Sequence, residues 1–353
     1  MKIKFYNIHD IITFKIINNT NVLHKKISNL EIEYKNFECK IKIDKPDFTI
    51  YIGEFTPDIT NCHILDENYY IKENYLFCKQ DVYKIAKWRF ELSGFENGET
   101  TVKISCNIFG ELFLAAYLID FLIQLKLTEK GYPIVHASCV NKDNKGYLFS
   151  SRGGGGKTTT ALKLLDQGFH FLGDNYIIIH DGVALGFLSP LNIFSYNLTK
   201  NLSYKLNTKE KILLKIKSIL YRLTFGFAKI FSQFNPRRIF PNSIINQTKL
   251  NIVFLLIPKN SLSVHDIKRE DLITQLIYNQ QLDFLFFDKY MTEYSTVFPH
   301  SNFARHWELY KKQLEKQIPM ELSMYKIEVP PILDDKFFKE IQTVISNERN
   351  NKL

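Results

Sequence analysis

The chain has 353 residues, 45% of them hydrophobic and 24% charged, with a formal net charge of +9. That length has room for two domains, and that balance of apolar to charged residues excludes a disordered chain. Cys39, Cys62, Cys78, Cys106 and Cys139 are odd in number and form no C-x-x-C pair, which excludes a fully paired disulfide scaffold and predicts a reducing, cytoplasmic setting.

Residues 1–107 read as a β-rich domain. The runs Leu30–Tyr34, Cys39–Ile43, Phe48–Ile52, Tyr75–Cys78 and Thr101–Ile104 are rich in β-branched or aromatic residues, and Asn, Asp, Gly and Pro punctuate them. The opening MKIKFYNIHD carries no apolar run of the signal-peptide kind. Residues 108–353 read as a second, nucleotide-binding domain. It starts with the apolar stretch IFGELFLAAYLIDFLIQLKL, interrupted by Glu111, Asp120, Gln124 and Lys126. Those polar residues predict a buried helix over Phe109–Thr128 rather than a membrane span.

Two short strands follow, Ile134–Val140 and Tyr147–Ser150, and the polar stretch Asn141–Gly146 predicts a longer-loop β-hairpin between them. Residues facing each other across a hairpin centred at Asp143–Asn144 have numbers summing to about 287, so His136 is expected opposite Ser151. The next element is Ser151-Arg152-Gly153-Gly154-Gly155-Gly156-Lys157-Thr158, followed by Thr159. Against the template G-x-x-x-x-G-K-[ST] it matches at Gly156, Lys157 and Thr158, with Ser151 at the first position. Glycines let backbone N–H groups close around phosphate oxygens. A helix beginning at Lys157 would add its positive end, Lys157 would reach the outer phosphates of ATP, and the Thr158 hydroxyl would ligate Mg²⁺. That helix is expected over Lys157–Gln167, with Gly168 at its C′ position.

Phe169–Gly173 then reads as a strand ending at Asp174. A carboxylate at such a strand end suits either Mg²⁺ or a general base. Tyr176–His180 continues extended. Between Lys200 and Arg238 lie ten Lys or Arg residues and one acid, Glu210. Over Lys209–Phe231 the Leu and Ile residues take one side of a helix and the Lys residues another. This segment can pack its apolar side on the core, attract an acidic peptide, or make peripheral contact with an anionic membrane. It carries no nucleic-acid-binding motif. Leu250–Ile257 reads as a buried central strand, Asp271–Asn279 as a helix, and Lys336–Val344 as a final amphipathic helix.

The pattern His136-Ala137-Ser138, then GYLFSSRGGGGKTT, then Gly168-Phe169-His170-Phe171-Leu172-Gly173-Asp174-Asn175 resembles the HPr kinase/phosphorylase-like superfamily. It is most similar to the HPr-kinase-related members of peptide-modifying clusters, in which a β-rich region replaces the N-terminal domain of true HPr kinase. The resemblance is specific over about residues 131–192 and loose elsewhere. It implies an α/β (α+β) fold with a P-loop core like that of phosphoenolpyruvate carboxykinase. It also implies Lys157 on the phosphates, Thr158 and Asp174 at Mg²⁺, Asp174 as general base, and His136 beside that base. Where the family commonly carries a second acid this chain has Asn175, which can ligate a metal through its carbonyl oxygen but brings no charge. The second signature of true HPr kinases has no counterpart, so the resemblance extends neither to HPr as substrate nor to phosphorylase activity. It leaves a homo-oligomer open. The expected function is ATP-dependent phosphoryl transfer to a hydroxyl of a peptide or protein. A small-metabolite kinase and a nucleotide-binding scaffold without turnover are the alternatives. Arg237 or Arg238 is a further candidate for contact with the transferring phosphate.

Overall fold

Apolar residues at every second position make one face of the first sheet. Tyr6 and Ile8 of β1 (Lys2–Ile8) are buried, as are Ile12, Phe14 and Ile16 of β2 (Ile12–Asn18), while the residues between them are at least partly exposed. The sheet continues through β3 (Glu38–Cys39), β4 (Phe48–Ile52), β5 (His63–Leu65), β6 (Tyr69–Lys72), β7 (Tyr75–Val82), β8 (Ala86–Ser93) and β9 (Thr100–Cys106), in the order β3-β1-β2-β4-β9-β8-β7-β6-β5. The structure is a computed structural model that describes residues 1–19, 32–82, 86–107, 110, 118–194, 198–223 and 232–350. Two of the expected strands differ. Ile32 and Glu33 are helical, and of the run Cys39–Ile43 only Cys39 is in a strand, as the second residue of β3.

The second sheet contains β10 (Ile134–Lys142), β11 (Lys145–Ser150), β12 (His170–Gly173), β13 (Tyr176–His180) and β14 (Val183–Gly186). After the separate pair β15 (Leu191–Ile193) and β16 (Ser232–Phe234), it is completed by β17 (Gln247–Pro258), β18 (Ser263–Asp266) and β19 (Ser323–Val329). Its order is β11-β10-β13-β14-β17-β19-β18, and β11 also pairs in parallel with β17, from Tyr147↔Ile252 to Ser150↔Leu255. β17 is thus flanked by β11 and β19, both parallel to it, and it is buried from Leu250 through Leu256, as its apolar run predicts. The helices lying wholly within the described residues are α1 (Asp120–Glu129), α2 (Lys157–Leu165), α3 (Lys200–Lys205), α4 (Thr208–Leu223), α5 (Pro236–Ile239), α6 (Arg269–Asp283), α7 (Leu285–Val297), α8 (His306–Gln317) and α9 (Asp335–Asn350). The architecture is mixed α/β.

The chain forms two units, Met1–Pro133 with Gln281–Gln313, and Ile134–Gln280 with Leu314–Leu353. The division falls after Pro133 rather than after residue 107, because α1 belongs to the first unit's core. The Tyr34 hydroxyl donates to the buried Asp120 Oδ1 at 2.5 Å, and the Phe121 ring lies 4.0 Å from that of Phe287. Of the helix expected over Phe109–Thr128, positions 109 and 111–117 lie outside the described residues, as do positions 224–231 of the one expected over Lys209–Phe231. None of the described helices is long and apolar enough to cross a membrane.

The core of the second unit lies between its sheet and its helices. Phe149 of β11 stacks on Phe254 of β17 at 4.9 Å. Ala161 and Leu164 of α2 join the same cluster, as do Phe337, Phe338 and Ile341 of α9. Each Leu, Ile or Phe side chain among them contributes about 1.5–3 kcal/mol by leaving water. The hairpin that carries the site has the expected register, Ala137↔Ser150 through Lys142↔Lys145. Its loop is shorter than expected: Asp143 and Asn144 alone make the turn, with φ 54° and 59°. That is the left-handed pair a two-residue hairpin needs, and both residue types tolerate it. α2 ends as its sequence predicts. Gly168 has φ +81°, its N–H donates to Leu165 O, and the Phe169 N–H donates to Leu164 O, which is a Schellman cap with Gly168 at C′.

In the first unit His306 is buried among the rings of Phe287, Trp307 and Tyr310, with Gln124 Nε2 3.5 Å from its Nε2. Burial holds its imidazole well below the ordinary 6.5, at about 3. Between those two values the unfolded chain binds the extra proton, so stability is complete above pH 6.5 and declines as pH falls through the window. At pH 5 this one group is expected to remove about 2 kcal/mol relative to neutral pH. Urea midpoints at pH 7 and pH 5 measure the loss, and His306→Gln should shrink the difference.

Candidate functional site

β11 ends at Ser150, and the chain turns through Ser151–Gly156 into α2. Gly154 (φ +87°) and Gly156 (φ +92°) are left-handed, a conformation that costs other residues about 1–2 kcal/mol. Gly155 is required sterically, since a Cβ there would lie 2.5 Å from Ser151 Oγ. Its N–H donates to Arg152 O at 3.0 Å and closes the turn. Arg152, Gly153 and Gly154 are exposed at the rim, whereas Ser151, Gly155 and Lys157 are buried. No side chain caps α2 at its start and its own first turn holds no acid, so the first N–H groups of the helix are directed at the turn.

The charged groups sit on this frame. Lys157 Nζ donates to Ser151 O at 2.8 Å, folding the ammonium back over the turn. Asp174, which follows β12, is 3% exposed. Two hydroxyls donate to its carboxylate: Thr158 to Oδ2 and Ser138 to Oδ1, each at 2.8 Å. A third, from Ser189, donates to its main-chain oxygen at 3.4 Å. Thr159 stands beside Thr158 in the first turn of α2 and is half-buried.

His136 is buried on β10, two residues before Ser138. Side chains two apart share one face of a strand, roughly 7 Å apart, so His136 stands on the same face as the hydroxyl that holds Asp174. Its carbonyl accepts from Ser150 Oγ at 3.0 Å, and its ring meets that of Tyr176 edge to face at 6.3 Å. Asn175 has φ +72°, and its carbonyl accepts from the Ala137 N–H at 3.1 Å. Asparagine is favoured in that conformation, which gives the residue a local role whatever else it does. Arg238 is engaged elsewhere, donating to Glu210 Oε1 at 2.5 Å, and Arg237 lies in the short helix α5.

Three residues that hydrogen-bond at the site, Ser138, Ser189 and Asn279, were given no role by the sequence. Ser138 was legible from its period-two spacing with His136. Ser189 and Asn279 were not. Asn279, on α6, donates to Ser150 Oγ at 3.3 Å across a sequence separation of 129, and no local pattern announces such a pair.

The donor set suits a nucleotide with a hard cation. The glycine turn and the helix start can take phosphate oxygens, and Lys157 can neutralise them. Thr158 and Asp174 present neighbouring oxygens of the kind Mg²⁺ takes, with phosphate and water completing its shell.

No protein-family model matches the chain, and no curated protein matches it. Among solved structures it is similar to the HPr(Ser) kinase/phosphatase from Coxiella burnetii, at 12% identity and a TM-score of 0.30, over 62% of this chain and 92% of that one. At that TM-score the likeness bears on neither fold nor function, and the functional reading rests on the geometry around Asp174.

The hydroxyl of Ser138 satisfies a buried carboxylate oxygen, so Ser138→Ala should destabilise the second unit by about 1–3 kcal/mol. Urea unfolding measures this, and Ser138→Thr, which keeps a hydroxyl, should recover part of the loss.

Proposed function

We propose that the chain binds ATP–Mg²⁺ at Ser151–Thr159 and transfers a phosphoryl group to a hydroxyl of a peptide or protein. The observation that carries this is the Thr158–Asp174 bond of 2.8 Å beside the glycine turn. It joins the first helical turn of a phosphate cradle to a buried carboxylate. The resemblance of residues 131–192 to HPr-kinase-related kinases supports the same reading.

The roles follow from the chemistry of each group. The loop amides and the start of α2 bind the phosphates, and Lys157 leaves its Ser151 carbonyl to take charge that grows on the transferring group. Mg²⁺, held by Thr158 and Asp174 with Asn175 as a neutral neighbour, supplies further neutralisation when bound. A carboxylate has about four acceptor sites. Two are used by Ser138 and Thr158, and those remaining on Asp174 can receive the proton of an attacking Ser or Thr hydroxyl. Ser138 and Thr158 hold that carboxylate in one orientation, and His136, on the same strand face as Ser138, orients the acceptor side.

A second reading, a nucleotide-dependent binding module without turnover, draws support from Asn175, which adds no charge beside Asp174. The test separates the two. Lys157→Ala should weaken ATP binding about 10- to 150-fold, the value of a charge-assisted hydrogen bond. Asp174→Asn should keep Mg²⁺-free nucleotide binding and lower turnover by roughly 10²–10⁴-fold. Failure of the parent to bind ATP sinks both readings, and ATP binding without turnover in any acceptor mixture leaves only the second. A mass gain of one phosphoryl group on a peptide rather than on a metabolite identifies the acceptor.

A further inference from the structure

α4 carries an exposed apolar strip. Leu214 is 4% exposed, whereas Ile212, Leu213, Ile216 and Ile219 are exposed by 51, 46, 49 and 57%. At about 100° per residue, Ile212, Ile216 and Ile219 fall within roughly 60° of one another, and Leu214 lies on the opposite side. A surface helix ordinarily turns such a strip to the core. By the same geometry Lys211 and Lys215 border the strip on one side and the exposed Lys209 on the other.

The surrounding charge is of one sign. Glu210 is the one acid between Lys200 and Arg238, against ten Lys or Arg residues. Both of its carboxylate oxygens are already used. Oε2 accepts from the Asn207 N–H while Asn207 Oδ1 accepts from the Glu210 N–H, each at 2.9 Å, and Oε1 accepts from Arg238. This capping box fixes the start of the helix and engages the one acid of the segment.

We infer that α4 is a docking helix for an anionic lipid surface. The isoleucines match the acyl boundary, and lysines on both borders can lay their stems along it with their ammonium groups among the head groups. A second copy of the chain would bring the same positive charge against itself. α4 can dock in this way whether or not the loop at Ser151–Thr158 binds nucleotide.

The test is co-sedimentation of the full chain with phosphatidylcholine vesicles, with and without phosphatidylserine. The parent should bind only the anionic vesicles and release them as salt rises. Ile212→Ser/Ile216→Ser/Ile219→Ser should abolish binding, with ATP affinity and unfolding midpoint kept, because these positions are exposed. Lys211→Gln/Lys215→Gln, which leaves the apolar strip intact, should weaken binding about five-fold for each charge removed. The inference is overturned if the parent ignores anionic vesicles, or if binding survives both variants. It is equally overturned if the parent is a dimer that the serine variant splits, since the strip would then belong to a second copy.

Discussion

The turn at Asp143–Asn144 sets the register on which the site depends. With two left-handed residues and no more, it pairs Lys142 with Lys145 and carries that register to Ala137 opposite Ser150. A slip of one residue would turn every β10 side chain to the other face of the sheet. Ser138 would then leave Asp174, and His136 would leave the side on which the glycine turn begins. The parallel pairing of β11 with β17 anchors the other edge of the same strand, so the last residue before the turn is held from both sides.

The second constraint is electrostatic. Lys157 and Asp174 are both buried, and a buried charge is tolerated only when its hydrogen-bonding capacity is met. Each is met by short, local means: a loop carbonyl for Lys157, and two hydroxyls from separate elements for Asp174. Both groups stand where a strand end, a glycine turn and a helix start converge.

α4 illustrates how an amphipathic pattern can mislead. Its periodicity announced a helix with Leu and Ile on one side, and the ordinary expectation is that this side packs inward. The structure buries Leu214 and exposes Ile212, Ile216 and Ile219 instead. A helical period says only that two faces differ. Which face turns inward depends on the surface that receives it, and that surface is built from distant strands.

The short-range features were determined by the sequence alone. The glycine turn, the helix from Lys157, its Gly168 cap and the register of the hairpin each depend on residues within a few positions of one another, so local conformational preference was enough to place them. Asp174 at a strand end was legible for the same reason. Tertiary structure decided the rest. The Ser138 and Thr158 hydroxyls reach one carboxylate from separate elements, Asn279 bonds to Ser150, and residues 281–313 join the first unit. The outward face of α4 is of the same kind. These depend on which elements the sheet and its core bring together, and the hydrophobic burial that decides this is non-directional and blind to separation along the chain.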